Sequence, residues 1–207
     1  MPSVQLNFIN NSEKIPNTNI VVFQKNIGGN SVVPETPVAW MVFPNEKGLS
    51  HSFSYPFEST IAASDSYGKT TSKLNAENWN RFDMVSSAVG NELLLSPNQA
   101  SGPRMEVYNE LPVGAINAMV YKNGLLLAEK TSIGPGQFAG FAFEPTLYII
   151  LTNGIEQGEI MNTASISDIN FQFSLLGISS ADIVMAGGGT GTDATPIVFS
   201  LQNVKMA

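Results

Sequence analysis

The chain has 207 residues, and 17 acidic side chains against 10 basic ones leave a net charge of -7. That balance lacks the cationic footprint that phosphate binding requires, which excludes nucleic acid and charge-driven docking to an anionic membrane. The absence of cysteine excludes a disulfide framework, a zinc knuckle and a cysteine nucleophile, and a chain this long buries a core without them.

Charged residues make up 13 % of the chain, about half of the roughly 25 % usual in globular domains. Twenty asparagines and 21 serines stand in their place. A surface of neutral amides and hydroxyls repels copies of itself weakly, so it permits close contact with protein or sugar.

The N-terminal Met1-Pro2-Ser3-Val4-Gln5 carries neither a basic stretch nor an apolar one of the kind that opens a signal peptide. No apolar run reaches the roughly 18 residues of a membrane helix. These features predict a chain that is cytoplasmic or exported by a non-classical route, with no transmembrane segment.

In chain order, Val4, Leu6 and Phe8 alternate with Gln5 and Asn7, the period-two pattern of a half-buried strand. Ile20–Phe23 and Val38–Phe43 are continuous apolar runs, as expected of strands covered on both faces. Leu74–Met84 admits one short helical turn, although Leu74, Trp79 and Phe82 fit a strand or loop equally. Asn123-Gly124 lies between Ile116–Tyr121 and Leu125–Glu129, and Asn153-Gly154 between Leu147–Leu151 and Ile155–Ile160. Both central residues of a type I′ turn need positive φ, which Asn and Gly tolerate, so each dipeptide predicts a hairpin. Pro135-Gly136 marks a turn before Phe138–Phe143. Ile169, Phe171 and Phe173 alternate with Asn170, Gln172 and Ser174 as another strand, and a last strand is expected near Ile197–Val204. The glycine-rich Gly187–Thr192 leads through Asp193 and Pro196 into that strand rather than into a helix, so it reads as a linker and not a phosphate cradle.

The sum is an all-β chain: one antiparallel β-sandwich domain over 1–207, of jelly-roll or immunoglobulin-like type. A pseudo-repeat is suggested between 4–43 and 105–143, where Leu6–Asn10 matches Met105–Asn109 and later words follow at similar spacing.

Asn10-Asn11-Ser12, Val22-Phe23-Gln24, Ala39-Trp40, Phe143–Ile149 and Gly158-Glu159-Ile160 together resemble the bacterial family typified by the rhizosphere-expressed protein of rhizobia. That resemblance implies a β-rich protein without established catalytic residues.

The chemistry-bearing residues are few. His51 is the one histidine, which excludes multi-histidine metal sites within a single chain, and no Gly-x-Ser-x-Gly elbow frames a serine. Asp65, Glu77, Asp83 and Glu92 include pairs suited to glycoside chemistry only if folding brings two of them within about 5 to 10 Å. No Asp-x-Asp-x-Asp-Gly loop is present for calcium, so Asp65 and Asp193 read as turn formers. No catalytic residue, metal or cofactor is therefore expected. A binding surface is expected between Tyr55 and Arg81, where Tyr55, Tyr67 and Trp79 could supply ring faces and Asp65 and Arg81 the polar partners. The function expected is a non-catalytic interaction protein that associates with itself or with a macromolecular partner. Two alternatives are a lectin-like binder of glycans through those five residues and a membrane-active toxin-like protein.

Overall fold

The computed structural model describes residues 3–13, 18–29, 37–161, 171–189 and 191–207. Ile169 and Asn170, expected to begin a strand, lie outside them, as does Thr190 of the glycine-rich linker. The described residues form sixteen strands, a single 3-10 turn and no α-helix, so the fold is all-β. The strands make four sheets of four and fall into two compact units. One unit is Met1–Gln24, Val38–Phe57 and Pro145–Ala207; the other is Lys25–Pro37 and Glu58–Glu144.

The first unit holds β1 (Ser3–Asn10), β2 (Asn19–Phe23), β3 (Met41–Pro44), β4 (Ser50–Pro56), β13 (Thr146–Thr152), β14 (Phe171–Ser174), β15 (Ile178–Gly188) and β16 (Thr195–Met206). They order as β16-β15-β1-β4 and as β14-β13-β2-β3, with β1 and β15 parallel and the other pairs antiparallel. Alternation in β1 does what its sequence requires: Val4, Leu6 and Phe8 are buried, while Gln5 points to solvent. Phe8 of one sheet meets Phe43 of the other at 5.5 Å between ring centroids, and Trp40 packs edge-on against Phe53 and Tyr55. Such pairs add about 0.5–1.5 kcal/mol each beyond the area they bury.

The continuous apolar run of β2 has a physical cause. Val21 and Phe23 pack with Ala39, Ile150, Ile155 and Met161 in a second cluster, so both faces of the strand are covered. The Val38–Phe43 run behaves differently from its expected single strand. Only Met41–Phe43 enter β3, because Val38 bridges Ile160 and the Ala39 N–H and C=O bond to Glu159 and Gly158. Residues 155–160 are thereby used as a cover, and the expected hairpin partner of β13 does not form there. At Asn153-Gly154 only the glycine takes positive φ, so the two left-handed residues of a type I′ turn are not both present. The antiparallel partners of β13 are β14 and β2.

The second unit holds β5 (Ser59–Ser64), β6 (Leu74–Ala76), β7 (Asn80–Ser87), β8 (Gly90–Gln99), β9 (Met105–Asn109), β10 (Ile116–Lys122), β11 (Leu125–Ile133) and β12 (Phe138–Phe141). Its sheets order as β11-β10-β5-β6 and β12-β9-β7-β8, the β7–β9 pair being parallel. Asn123 and Gly124 join β10 to β11 with φ of 51° and 78°, the hairpin their sequence demands. Pro135-Gly136 forms its turn, closed by Gln137 N–H to the Gly134 carbonyl at 3.0 Å, with Gly136 at φ 74°. Leu74–Met84 contains β6, a turn and the start of β7, with no helical turn. Phe82, Met84, Val107, Val120, Leu127 and Phe141 are among its fully buried side chains.

Candidate functional site

The five residues expected to line a binding surface do not gather into one. Tyr55 is a core residue of the first unit: its ring meets Trp40, and its hydroxyl accepts a bond from Gln24 Nε2 at 3.2 Å. Burial raises its pKa, and the Gln24 bond offsets only part of that. The other four belong to the second unit. Asp65 shapes the turn after β5, where Oδ1 accepts the Tyr67 and Lys69 N–H groups and Oδ2 accepts Asn91 Nδ2. Burial pushes its carboxyl upward, but these bonds together hold it below the usual carboxylate range. Tyr67, on the tip of that turn, is 92 % exposed.

Trp79 is 50 % exposed and sits just before β7, with φ 73°. Its N–H donates to the Arg104 carbonyl and its own carbonyl accepts from Ala100, both at 3.0 Å, which holds a conformation unusual for a bulky residue. Asn91 pairs with Ser86 at the far end of β7. Trp79 and the Asp65 turn are therefore separated by the length of that strand, roughly 23 Å at about 3.3 Å per residue. They share no cleft.

Arg81 is spoken for as well. It bonds Asp83 at 2.7 Å and Glu110 at 2.6 Å and lies 3.6 Å over the Tyr108 ring. Tyr108 stacks on Phe138 at 4.6 Å, and Arg104 approaches the Phe138 ring at 5.3 Å. The result is a cation–ring–ring–cation row that leaves neither ring a free face for a sugar. Arg104 also bonds the buried Glu106 at 2.8 Å. His51 stacks on Phe43 at 4.7 Å between centroids, as part of an aromatic cluster. Among the described residues no group of three histidine or carboxylate side chains is placed to hold a metal, and no helix is long and apolar enough to cross a membrane.

The feature that sequence reading left unweighted is the outer edge of β16. This strand of twelve residues is the longest of those that end a sheet, exceeding β8 with ten and β11 with nine. Its one ladder partner among the described residues is β15. The junction feeding it is tight. A Cβ at Gly187, where φ is 91°, would collide with the Pro196 carbonyl, and one at Gly188 with the Glu13 carbonyl at 2.6 Å. Phe199 anchors the middle by stacking on Phe171. The far end is tied by Ser179 Oγ, which donates to the Lys205 and Met206 carbonyls, and by Ala207 N–H to Gly177.

Along this edge, Lys205 is the one charged side chain. β11 carries Glu129 and Lys130, β8 carries Glu92 and an internal Pro97, and β3, β6 and β14 are four residues or fewer; β4, the other edge of the same sheet, has no Asp, Glu, Lys or Arg but only seven residues, ending in Pro56. The outer side of β12 is already covered: Asn26 donates to the Gly140 carbonyl and accepts the Ala142 N–H, and Ile27 N–H donates to Ala142. Charge, proline, shortness and cover are the means by which sheet edges are kept from pairing with other chains. β16 carries one lysine, a proline only at its second residue (Pro196) and register irregularities only outside 198–202, so its stretch 198–201 has none of these, and it presents Val198, 56 % exposed, beside its backbone.

No family model, curated protein or solved structure matches the chain.

Proposed function

We propose that this is a non-catalytic β-sandwich protein that works by associating with copies of itself through the outer edge of β16. The two sheets of each unit are read as the layers of a sandwich. The observation that carries the reading is an edge strand of twelve residues, held at both ends and in the middle, with a single charge along it. A strand kept extended has already met much of the ordering cost of association, so each backbone bond made to a second copy contributes more of its strength. Edge pairing about a two-fold axis joins the same patch on both subunits, which closes as a dimer and does not propagate through β16.

Multi-angle light scattering behind size exclusion, over a range of loading concentrations, tests this. The wild-type chain is expected to run as a dimer, and a V198K/V204K double variant as a monomer of unchanged circular dichroism. A wild-type monomer at high concentration would refute the proposal.

A further inference from the structure

The outward face of the sheet containing β16 carries a groove that the edge-pairing proposal does not use. Its volume is about 380 Å³, and Gln5 and Asn7 of β1, Ser52 of β4, Asp182 of β15 and Asn203 and Lys205 of β16 line it. Register sets these side chains in two rows across four strands. Asn7 lies opposite Ser52 on one side and Asp182 on the other, and Gln5 lies beside Ser180, which faces Lys205.

The rim is made by an irregularity. Between Asp182 and Ser180 of β15, two steps are matched by three on β16, from Gln202 to Lys205. The extra residue is a bulge, a device that re-aims a side chain out of the ladder. Asn203 within it takes φ 50°, a left-handed conformation that Asn tolerates better than most residues. Its amide is turned onto Asp182 Oδ2 at 2.6 Å. From the other side Asn7 Nδ2 approaches Asp182 Oδ1 at 3.4 Å, which points Asn7 Oδ1 at the hydroxyls of Ser50 and Ser52, each at 3.0 Å.

We infer that this groove binds a neutral, polyhydroxylated ligand, a carbohydrate in chemical class. Two amides orient the Asp182 carboxylate, which keeps lone pairs free, since an ionised carboxyl offers about four acceptor positions. Lys205 also lines the groove and carries an ammonium with three donors, and the serine hydroxyls keep acceptor capacity. A sugar hydroxyl both donates and accepts, so adjacent hydroxyls satisfy a carboxylate and an ammonium together. An anion would meet the Asp182 charge, and an apolar molecule would strand these groups without partners. One carboxylate and one ammonium leave the groove without net charge, which matches a neutral ligand. No aromatic side chain lines it, so binding relies on hydrogen bonds and is weak per sugar.

The test is binding of the full chain to an array of neutral and anionic oligosaccharides, followed by titration calorimetry on the hits. D182N keeps the shape and removes the charge. N203G keeps the left-handed backbone, which glycine adopts freely, and removes the amide. Binding to neutral glycans that falls at least tenfold in D182N and several-fold in N203G supports the inference, whether the ligand is a short sugar or a polymer. Silence on the array, preference for sulfated or uronic sugars, or equal binding by both variants overturns it. A V198K single variant, outside the groove and its rim, separates this from edge pairing: it is expected to bind glycan as the wild type does, with affinity independent of whether the chain is a monomer.

Discussion

Phe199 of β16 stacks on Phe171 of β14 with ring centroids 5.6 Å apart and planes 16° from parallel. One side chain thus ties the middle of the outer edge strand to the opposite sheet of its unit, and Phe8 reaches the Phe199 ring at 6.5 Å. F199A removes a buried ring and leaves a cavity, at a cost of about 3–5 kcal/mol. Denaturant unfolding is expected to show that loss, and light scattering to show weaker association under conditions where the variant is still folded. Wild-type stability in F199A would mean that this stack does not hold the strand.

The β15–β16 junction makes a second prediction. Gly187 combines positive φ with a carbonyl at its missing Cβ position, so G187A strains the backbone and drives Pro196 away. Destabilisation of more than about 1 kcal/mol is expected. G124A is the control, because nothing lies within 4 Å of a Cβ there. It meets only the φ penalty and is expected to lose less.

Glu106 gives a pH dependence. Burial acts to raise its pKa, but the Ser101 hydroxyl, the Arg104 guanidinium and the Ser101 N–H outweigh it and hold the carboxyl below its ordinary 4.5. A group depressed on folding contributes stability that is fully present above its unfolded value and is lost as pH falls through the folded one. E106Q is therefore expected to be less stable than wild type at pH 7, by about 1–3 kcal/mol. The gap should close in urea titrations carried progressively below pH 4.5. A gap that stayed constant through acid would assign the loss to packing rather than to charge.

Lys122 runs in the opposite sense. Burial lowers its pKa from 10.5 to about 8. Between those values the unfolded chain holds the extra proton, so stability rises with pH across that window and is lowest, from this group, below pH 8. K122M is expected to melt higher than wild type at pH 7 and to lose that advantage as pH approaches 10.5. A variant that melts lower at pH 7 would show that the contacts of the ammonium outweigh its burial.

Strands and turns whose signal is local were legible in the sequence. Val4-Leu6-Phe8 and Asn123-Gly124 each specify their geometry through side-chain alternation or positive φ, and the fold follows both. Asn153-Gly154 was misleading because the same dipeptide serves a looser turn when the chain beyond it covers a sheet. The binding surface expected from Tyr55 to Arg81 was read from adjacency in the chain, whereas β7 places Trp79 and the Asp65 turn at opposite ends of itself.

Buried amides were invisible to a polarity reading. Asn10 and Asn109 end the two similar words Leu6–Asn10 and Met105–Asn109, and both are fully buried. Each side-chain oxygen accepts the N–H two residues on, from Ser12 and Leu111. Asn10 continues to Asn45, and Asn109 to the carbonyls of Gly114 and Ile133. The signal available was an asparagine closing an apolar alternation, a position where solvent exposure is the poorer guess. The groove and the β16 edge lacked any local signal, because long-range pairing creates both.

Amide hydrogen exchange of β16, followed from dilute to concentrated protein, reaches the central claim most directly. In an antiparallel edge strand alternate N–H groups point away from the partner strand, here away from β15. Those outward amides of residues 197–205 are expected to exchange quickly when the protein is dilute and to become protected as concentration rises. Exchange of the same amides at one rate across that range would contradict association through this edge.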